Sequence, residues 1–123
     1  MTETPLPGRP VRGSSSGRPL YALFDLVSRR WTLRIVWELR ESPASFTALR
    51  ARCDGMSSST LAQRLRDLLE ARLIVQADGG EYELTRLGLE LPDRLGPLIE
   101  WTDHWAAELA ARGPAPDEGG RAG

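Results

Sequence analysis

The sequence predicts a mainly α-helical protein with one small β-hairpin. Apolar side chains recur at helical spacing from Pro19 to Leu73, and the spacing then changes to the alternation of a β-strand over residues 73–85. Helical spacing returns after Leu87 and continues to Leu109. The predicted order is therefore four helices, a two-stranded hairpin and a C-terminal helical segment.

Length and composition indicate one domain of ordinary size. The chain has 123 residues, of which 41% are hydrophobic and 27% charged, so a core can form. No apolar run approaches the roughly 20 residues of a membrane span, and the N-terminus lacks the apolar region of a secretory signal. The single cysteine, Cys53, excludes an internal disulfide framework. These observations predict a cytoplasmic protein with no membrane partner.

Composition also predicts the domain boundaries. Residues 1–17 are rich in Pro, Gly and Ser and lack periodic hydrophobic residues, which predicts a disordered N-terminal arm. Residues 18–112 form the predicted folded domain. Residues 113–123 are again rich in Gly, Pro and Ala and are expected to form a disordered tail.

The net charge of −1 hides a strong asymmetry along the chain. All 16 basic residues are arginine, and the segment from Arg18 to Arg72 holds ten of them against six acids. The segment from Leu73 to Arg112 holds three arginines against eight acids. Clustered arginine in one half favours contact with phosphate, although coding bias could also enrich arginine. The near-neutral total argues against a nonspecific nucleic-acid coat.

Each helix of the first half has its own pattern of apolar and capping residues. The first carries one apolar face at helical spacing, and Thr32 is placed to cap the second helix. Ser45 is placed to cap the third helix, and Asp54-Gly55 forms the turn before the fourth. The apolar face of the first helix consists of Leu20, Leu23, Phe24 and Val27, and that of the third of Phe46, Leu49 and Cys53.

The fourth helix has the pattern of a helix that enters the DNA major groove. Ser57 is a good N-cap, and a stripe of leucines predicts that one side is buried. The opposite side carries small residues, an amide and a guanidinium, which allow close approach and paired hydrogen bonds to base edges. A merely solvated helix face would look similar. The stripe consists of Leu61, Leu65, Leu68 and Leu69, and the opposite side of Ser59, Ala62, Gln63, Arg66 and Glu70.

Two short helices joined by a tight turn and followed by a β-hairpin are typical of a winged helix-turn-helix. Three ordered motifs carry a more specific likeness: R-W-T-L-x-I at Arg30 to Ile35, S-x-x-x-L-x-x-R-L-R-x-L at Ser57 to Leu68, and E-Y-E-L-T-x-L-G at Glu81 to Gly88. From Pro19 to Trp105 the chain resembles the HxlR-type winged-helix transcription regulators of bacteria.

The resemblance implies a homodimer that binds double-stranded DNA. Members of that family dimerise through terminal helices, and the second helix of the helix-turn-helix enters the major groove. Carried over, the recognition helix is Ser57–Ala71, the supporting helix is Phe46–Cys53, and the wing tip is Asp78 to Glu81. The dimerisation helix, about residues 97–111, presents Leu98, Trp101, Trp105 and Leu109. That stripe exceeds what a small domain's own core needs, although the helix could instead fold back on its domain.

The DNA-binding residues follow from these positions. Gln63 and Arg66 are expected to read bases, with Ser59 near the groove floor. Ser57, Ser58 and Thr60 would donate to phosphate at the helix N-terminus. Two recognition helices related by a two-fold axis predict an inverted-repeat operator with half-sites about one helical turn apart. Three further arginines are candidate phosphate clamps: Arg50, Arg52 and Arg64.

The chain departs from the family pattern at three places. The family often carries a sensing cysteine just before the proline of the first helix, whereas this chain has Arg18 there; Cys53 is expected to be a buried structural thiol. The wing is short and acidic, with Asp78 and Glu81 where a base would meet phosphate. Arg72 stands where the family has Gly, so it either adopts a left-handed conformation, which costs about 1 kcal/mol, or the helix ends differently.

Four tryptophans raise the possibility of an effector site. One hypothesis is that they line an aromatic cavity near the dimer interface that binds a planar effector, and the alternative is plain packing. No cofactor and no metal site is expected, because the chain has too few His and Cys residues. The tryptophans concerned are Trp31, Trp37, Trp101 and Trp105.

Two functional interpretations therefore remain open. The first is a sequence-specific DNA-binding regulator that is not an enzyme. The second is a ligand-binding or protein-interaction module that keeps the winged-helix fold with weakened DNA binding, which the acidic wing and the neutral total charge favour. An enzyme is a distant third, because no nucleophile or base is placed by spacing to work with His104, the only histidine.

Overall fold

The computed structural model describes residues 3–113, so most of the predicted disordered tail (113–123) lies outside the described residues. The observed elements follow the predicted order of four helices, a hairpin and a C-terminal helical segment. They are α1 (Pro19–Ser28), α2 (Thr32–Leu39), α3 (Phe46–Arg52), α4 (Ser58–Glu70), β1 (Ile74–Gln76), β2 (Tyr82–Leu84), α5 (Arg86–Arg94) and α6 (Gly96–Arg112). This is the predicted mainly α-helical architecture with one antiparallel hairpin.

The core is built from α2, α3, α4 and the hairpin. The leucine stripe of α4 is confirmed: Leu61, Leu65 and Leu68 are buried, and Leu69 is half-buried against the same cluster. Leu49 and Cys53 are fully buried beside it, as the spacing of the third helix predicted. Burial of this one stripe fixes which side of α4 remains available to a partner.

The first residues of the chain do not behave as the expected disordered arm. Thr4 is buried, and its hydroxyl donates to Asp67 of α4 over 3.0 Å. The Arg9 guanidinium donates to the Thr4 carbonyl over 2.6 Å and reaches the Glu70 carboxylate at 3.4 Å. We call residues 3–9 the strap, because they lie along the C-terminal half of α4. Side-chain bonds to the domain, which composition does not reveal, hold this segment in place.

The apolar face that the spacing predicts for α1 is largely exposed in the single chain. Leu20, Leu23 and Phe24 are exposed, whereas the buried residues are Ala22, Asp25 and Leu26. The N-terminal segment covers part of the buried side of α1. The backbone N–H of Arg12 donates to the Asp25 carboxylate over 3.2 Å, and strap residues share a cavity with Ala22 and Leu26. The sequence pattern could not identify this neighbour.

Two of the three predicted caps are confirmed and one is wrong. The hydroxyls of Ser45 and Ser57 accept hydrogen bonds from the backbone N–H groups of Ala48 and Thr60, each over 3.1 Å. Thr32 is instead the first residue of α2, and its buried hydroxyl has no hydrogen-bond partner. The preceding residue, Trp31, adopts a left-handed conformation with φ of 79° and takes the cap position.

The hairpin pairs Ile74 with Leu84 and Gln76 with Tyr82. Tyr82 also exchanges two backbone hydrogen bonds with Ala44, which ties the segment before α3 to the hairpin. The turn between the strands, residues 77–81, is closed by a hydrogen bond from the Ala77 N–H to the Glu81 carbonyl over 2.8 Å. The predicted wing is therefore present and short.

The end of α4 adopts the first of the two geometries expected at Arg72. Arg72 has φ of 61°, and the Leu73 N–H donates to the Leu68 carbonyl over 3.0 Å, which closes a Schellman motif. A non-glycine residue thus occupies the left-handed position, at a cost in backbone strain.

Of the described residues, 93–113 belong to a second compact unit, which contains α6. The C-terminal helical segment is divided into α5 and α6 just before Gly96-Pro97, and Pro92 lies inside α5. Among the helices of residues 3–113, none combines the length and apolar character needed to cross a bilayer.

Candidate nucleic-acid interface

The N-terminus of α4 follows a tight turn that leaves its first hydroxyls at the surface. Gly55 has φ of +75° and the Met56 N–H donates to the Cys53 carbonyl over 3.2 Å, which forms the predicted turn. Besides accepting from the Thr60 N–H, the Ser57 hydroxyl donates to the Thr60 hydroxyl over 2.9 Å. Ser58 and Ser59 are exposed. Exposed hydroxyls and the positive end of the helix dipole together favour an anion at this point.

The two predicted base-reading side chains are brought together. The Arg66 guanidinium donates to the Gln63 amide oxygen over 2.7 Å, and the Gln63 amide nitrogen donates to the Asp67 carboxylate over 3.2 Å. Arg66 is exposed, whereas Gln63 is half-buried. The Arg66 guanidinium has further N–H donors that this bond does not use. The Gln63 amide therefore holds Arg66 in place while those donors stay available at the surface.

Asp67 is the centre of this arrangement, and sequence reasoning missed it. Its carboxylate is fully buried, with Oδ1 accepting from Thr4 and Gln63. Oδ2 lies 3.2 Å from Arg29 Nη1 and 3.6 Å from Arg64 Nη1. Gln63 and Arg64 precede Asp67 by four and three residues. This helical spacing could have predicted both contacts from the sequence. The contributions of Thr4 and Arg29 were not, because only the tertiary fold brings them near.

The three predicted phosphate clamps have different surroundings. Arg50 is exposed, and its Nε donates to the Met56 carbonyl over 3.1 Å, which holds its guanidinium beside the start of α4. Arg52 is half-buried and donates to the Glu38 carbonyl over 3.1 Å, so it links α3 to α2. Arg64 has 17% of its side chain exposed, and its Nη1 lies 3.6 Å from the Asp67 carboxylate.

Arg30 is a second residue that sequence reasoning left out. It lies over the Trp31 ring at 5.6 Å and borders a surface depression of about 410 Å3 beside the α4 N-terminus. Ser57, Thr60 and Arg64 line the same depression. Arg30 belongs to the R-W-T-L motif. Its proximity to Ser57 could not be predicted, because the two residues lie far apart in the sequence.

The wing tip carries acidic side chains at the surface. Asp78 and Glu81 are both exposed, and the Gln76 amide donates back to the Gly80 carbonyl over 3.1 Å. A DNA phosphate that approached this turn would meet two carboxylates. The charge of the wing tip therefore disfavours contact with the DNA backbone.

The four tryptophans fall in two groups. Trp31 packs against the core, and Trp37 lies under the Arg40 guanidinium at 3.7 Å from its ring centre. Trp101 and Trp105 stack on each other in α6, with ring centres 5.4 Å apart and planes 16° apart. Both are about half exposed, as are Leu98 and Leu109 on the same helix. The predicted dimerisation stripe is thus accessible, and the predicted aromatic effector site stays a prediction.

The single cysteine lies in the core. Cys53 is fully buried, and burial raises the pKa of its thiol. A buried thiol with a raised pKa is the structural cysteine that the sequence predicted. Within residues 3–113, no three His, Cys, Asp or Glu side chains come together as metal ligands would.

These elements define the class of protein: a winged helix-turn-helix transcriptional regulator. The HxlR-like helix-turn-helix family matches residues 26–110, and the chain belongs to that family. An uncharacterised HTH-type transcriptional regulator of Methanocaldococcus jannaschii is 32% identical over 88 residues, which covers 68% of this chain and 82% of that protein. The regulator YvaP of Bacillus subtilis is 31% identical over 88 residues, covering 66% of this chain and 81% of YvaP.

Solved structures give the same fold. The quinone-bound YodB from B. subtilis is similar with a TM-score of 0.66 and 25% identity, over 69% of this chain and 96% of YodB. A possible HxlR family transcriptional factor from Thermoplasma volcanium has a TM-score of 0.62 and 25% identity, over 69% of this chain and 82% of that one. The relatives are transcriptional regulators, and the predicted family is therefore confirmed.

Proposed function

We propose that the protein regulates transcription by binding an inverted-repeat operator in double-stranded DNA as a homodimer. The observation that carries the proposal is the Arg66–Gln63 pair on the open side of α4, downstream of a serine-capped N-terminus. Arginine and glutamine are suited to paired hydrogen bonds with guanine and adenine. The buried leucine stripe on the other side of α4 supports this orientation.

The proposed roles divide into base reading and phosphate contact. Arg66 reads a base, with Gln63 holding its guanidinium, and Ser59 lies near the groove floor. Ser57, Ser58 and Thr60 receive a phosphate at the helix N-terminus. Arg50 is the best-placed clamp, because its guanidinium is exposed and is fixed at the Met56 carbonyl. Arg52 contributes as a secondary clamp, and Arg64 acts through Asp67 and not on phosphate.

Two variants separate these roles by fluorescence anisotropy with DNA from the region upstream of the protein's own gene. Arg66→Ala is expected to weaken binding to the preferred site about 10-fold or more and to relax one base position, because a bidentate base contact is worth about 1–3 kcal/mol. Arg50→Ala is expected to weaken all sequences alike and to reduce the salt slope by about one.

The matched control is Arg86→Ala, which removes an exposed arginine at the start of α5. It is expected to leave both sequence preference and salt slope unchanged. Equal binding by the wild type, Arg66→Ala and Arg50→Ala would contradict the assignment of α4 as the recognition helix.

Dimerisation is proposed through α6. Leu98, Trp101, Trp105 and Leu109 repeat at helical spacing and are each about half exposed in the single chain. An apolar row of this size on one helix favours burial against a second copy. Two copies related by a two-fold axis would present two recognition helices to an inverted repeat.

A small aromatic effector is part of the proposal. It is supported by the similarity to YodB, whose structure is bound to a quinone, and by four tryptophans in one short chain. Because Arg18 replaces the family's frequent cysteine and Cys53 is buried, this response would not use thiol chemistry. Titration of aromatic compounds with tryptophan emission as the readout tests it, and no response from any compound would contradict it.

The second candidate function is a ligand-binding or protein-interaction module with weakened DNA binding. The exposed carboxylates of Asp78 and Glu81 at the wing tip favour it, because they repel phosphate. Measuring DNA binding at two salt concentrations distinguishes the two functions. Specific, salt-dependent binding supports the regulator, and its complete absence supports the module.

A further inference from the structure

An apolar cavity of about 190 Å3 lies beneath the strap. Every described residue that lines it carries an apolar side chain, so a bound molecule would meet neither charge nor a side-chain hydrogen-bond donor. Engineered apolar cavities of about 150 Å3 are large enough to bind benzene. The size and the lining therefore suit a single uncharged aromatic ring. The walls include Pro5, Leu6 and Pro7 of the strap, Ala22 and Leu26 of α1, and Leu87 of α5.

One wall of this cavity is bonded directly to the recognition helix. Thr4, the residue before Pro5, donates its hydroxyl to Oδ1 of the buried Asp67. The same oxygen accepts from the Gln63 amide, which in turn holds Arg66. Arg29, whose guanidinium pairs with Asp67, also donates to the Glu3 carbonyl. The strap, the Asp67 carboxylate, Gln63 and the proposed base reader Arg66 thus form one connected hydrogen-bond network.

We propose that this cavity binds a small uncharged aromatic molecule, and that binding holds the strap closed and keeps Asp67, Gln63 and Arg66 in their DNA-competent arrangement. The link to DNA rests on the proposed function, whereas the binding site does not. The site is distinct from the predicted tryptophan site, since no tryptophan lines it.

The ligand is expected to favour the closed strap because strap residues form part of the cavity wall. Pro5, Leu6 and Pro7 complete the cavity only while the strap lies on the domain, so the molecule binds the closed strap more tightly than the open one. A ligand shifts an equilibrium by its difference in affinity for the two states. Occupation therefore favours the closed strap and the Thr4–Asp67 hydrogen bond. By reciprocity, specific DNA is expected to raise the affinity for the ligand.

The binding site is tested by ligand-observed 19F NMR on the full chain with two probes. 4-Fluorotoluene is expected to bind, and 4-fluorobenzoate is not, because burying a carboxylate without a partner is costly. Ala22→Leu fills the cavity and is expected to abolish binding. A second variant outside α1 guards against disruption of that helix. Leu87→Ala removes part of the cavity wall at an exposed position and is expected to weaken binding several-fold. Leu89→Ala, exposed on the same helix and absent from the lining, is the matched control.

The closing of the strap is tested by hydrogen exchange of residues 3–9 with and without 4-fluorotoluene. The ligand is expected to slow exchange there in the wild type. Thr4→Val removes the hydroxyl at nearly constant volume, so it is expected to bind the ligand but to lose its effect on DNA affinity. In the wild type the ligand is expected to tighten binding to the preferred DNA site several-fold.

The outcomes separate the two proposals. Ligand binding and strap protection without any DNA binding would contradict the proposed function and leave the cavity site standing. DNA binding without 4-fluorotoluene binding would overturn the cavity site alone. Binding that persists in both Ala22→Leu and Leu87→Ala, or equal binding of 4-fluorobenzoate, would also overturn it. An unchanged ligand effect on DNA in Thr4→Val would overturn the link through Asp67.

Discussion

Asp67 illustrates how one buried charge can hold together side chains from separate segments of the chain. A fully buried carboxylate is costly unless it is paired and hydrogen-bonded, and this one meets two guanidinium groups, a hydroxyl and an amide. The same contacts fix the side chain of Gln63. The proposed base-reading residue, Arg66, is therefore the immediate neighbour in the chain of the buried carboxylate that helps to hold the fold.

Arg72 gives a prediction about backbone strain. Replacing it by glycine is expected to raise the free energy of unfolding by up to about 1 kcal/mol, because glycine adopts φ of 61° without the steric cost of a Cβ atom. Urea unfolding measures the change. Arg72→Ala is the control, since alanine loses the arginine side chain but keeps the strain. An equal gain in both variants would show that the side chain, not the backbone, is responsible.

Cys53 gives a prediction about alkaline pH. Burial raises the pKa of its thiol in the folded protein, so on raising the pH the unfolded chain loses this proton first. The free energy of unfolding should therefore fall as pH rises through the ordinary thiol range. Denaturant unfolding between about pH 7 and 10 measures this slope. Cys53→Ala is expected to lack that contribution, and identical slopes in both proteins would contradict the prediction.

At the scale of elements, α5 approaches the backbone between α4 and β1 more closely than any side chain on Gly88 would allow. A Cβ atom built on Gly88 would lie 1.9 Å from the Leu73 carbonyl oxygen. The Thr85 hydroxyl fixes this approach, since it accepts from the Gly88 N–H over 3.0 Å and donates to the Arg72 carbonyl over 2.8 Å. The glycine of the E-Y-E-L-T-x-L-G motif is thus a packing requirement.

Gly88→Ala is accordingly expected to lower the free energy of unfolding by about 2 kcal/mol or more, because helix and backbone must move apart. Thermal unfolding followed by circular dichroism measures the loss. Gly79→Ala in the wing turn is the matched control: nothing lies within 4 Å of a Cβ there, and its effect should stay within about 0.5 kcal/mol. Comparable effects at the two glycines would refute this account of the motif.

At the scale of the whole molecule, the prediction concerns assembly. Trp101→Glu is expected to convert a dimer to a single chain in sedimentation velocity, because it places a charge in the apolar row of α6. Ala107→Glu adds the same charge at an exposed position on the opposite side of α6 and is expected to sediment as the wild type does. A wild type that sediments as a single chain, or a Trp101→Glu variant that remains dimeric, would contradict dimerisation through this row.

Much of the fold could be predicted because its signals are local. Leucine spacing located the buried side of α4, Ser45 and Ser57 marked two helix starts, and the change to alternation marked the hairpin. Thr32 failed as a cap because Trp31 turns left-handed just before it. The burial of Ala22, Asp25 and Leu26 in α1 could not be read from the sequence, because the N-terminal segment packs beside them and composition alone had suggested disorder.

In the candidate site, too, the features that depend on local spacing could be predicted, and those that depend on distant segments could not. Gln63 and Arg66 could be selected because one helical turn places them side by side, which a sequence determines by itself. The assignment of Arg64 to a buried ion pair, the role of Asp67 and the cavity beneath the strap depend on Thr4 and Arg29, which lie far away in the chain. Sequence determined the periodic elements and their exposed chemistry, since these depend on neighbours within a turn. Only the tertiary structure decided which charges are buried together, since that depends on how distant segments meet.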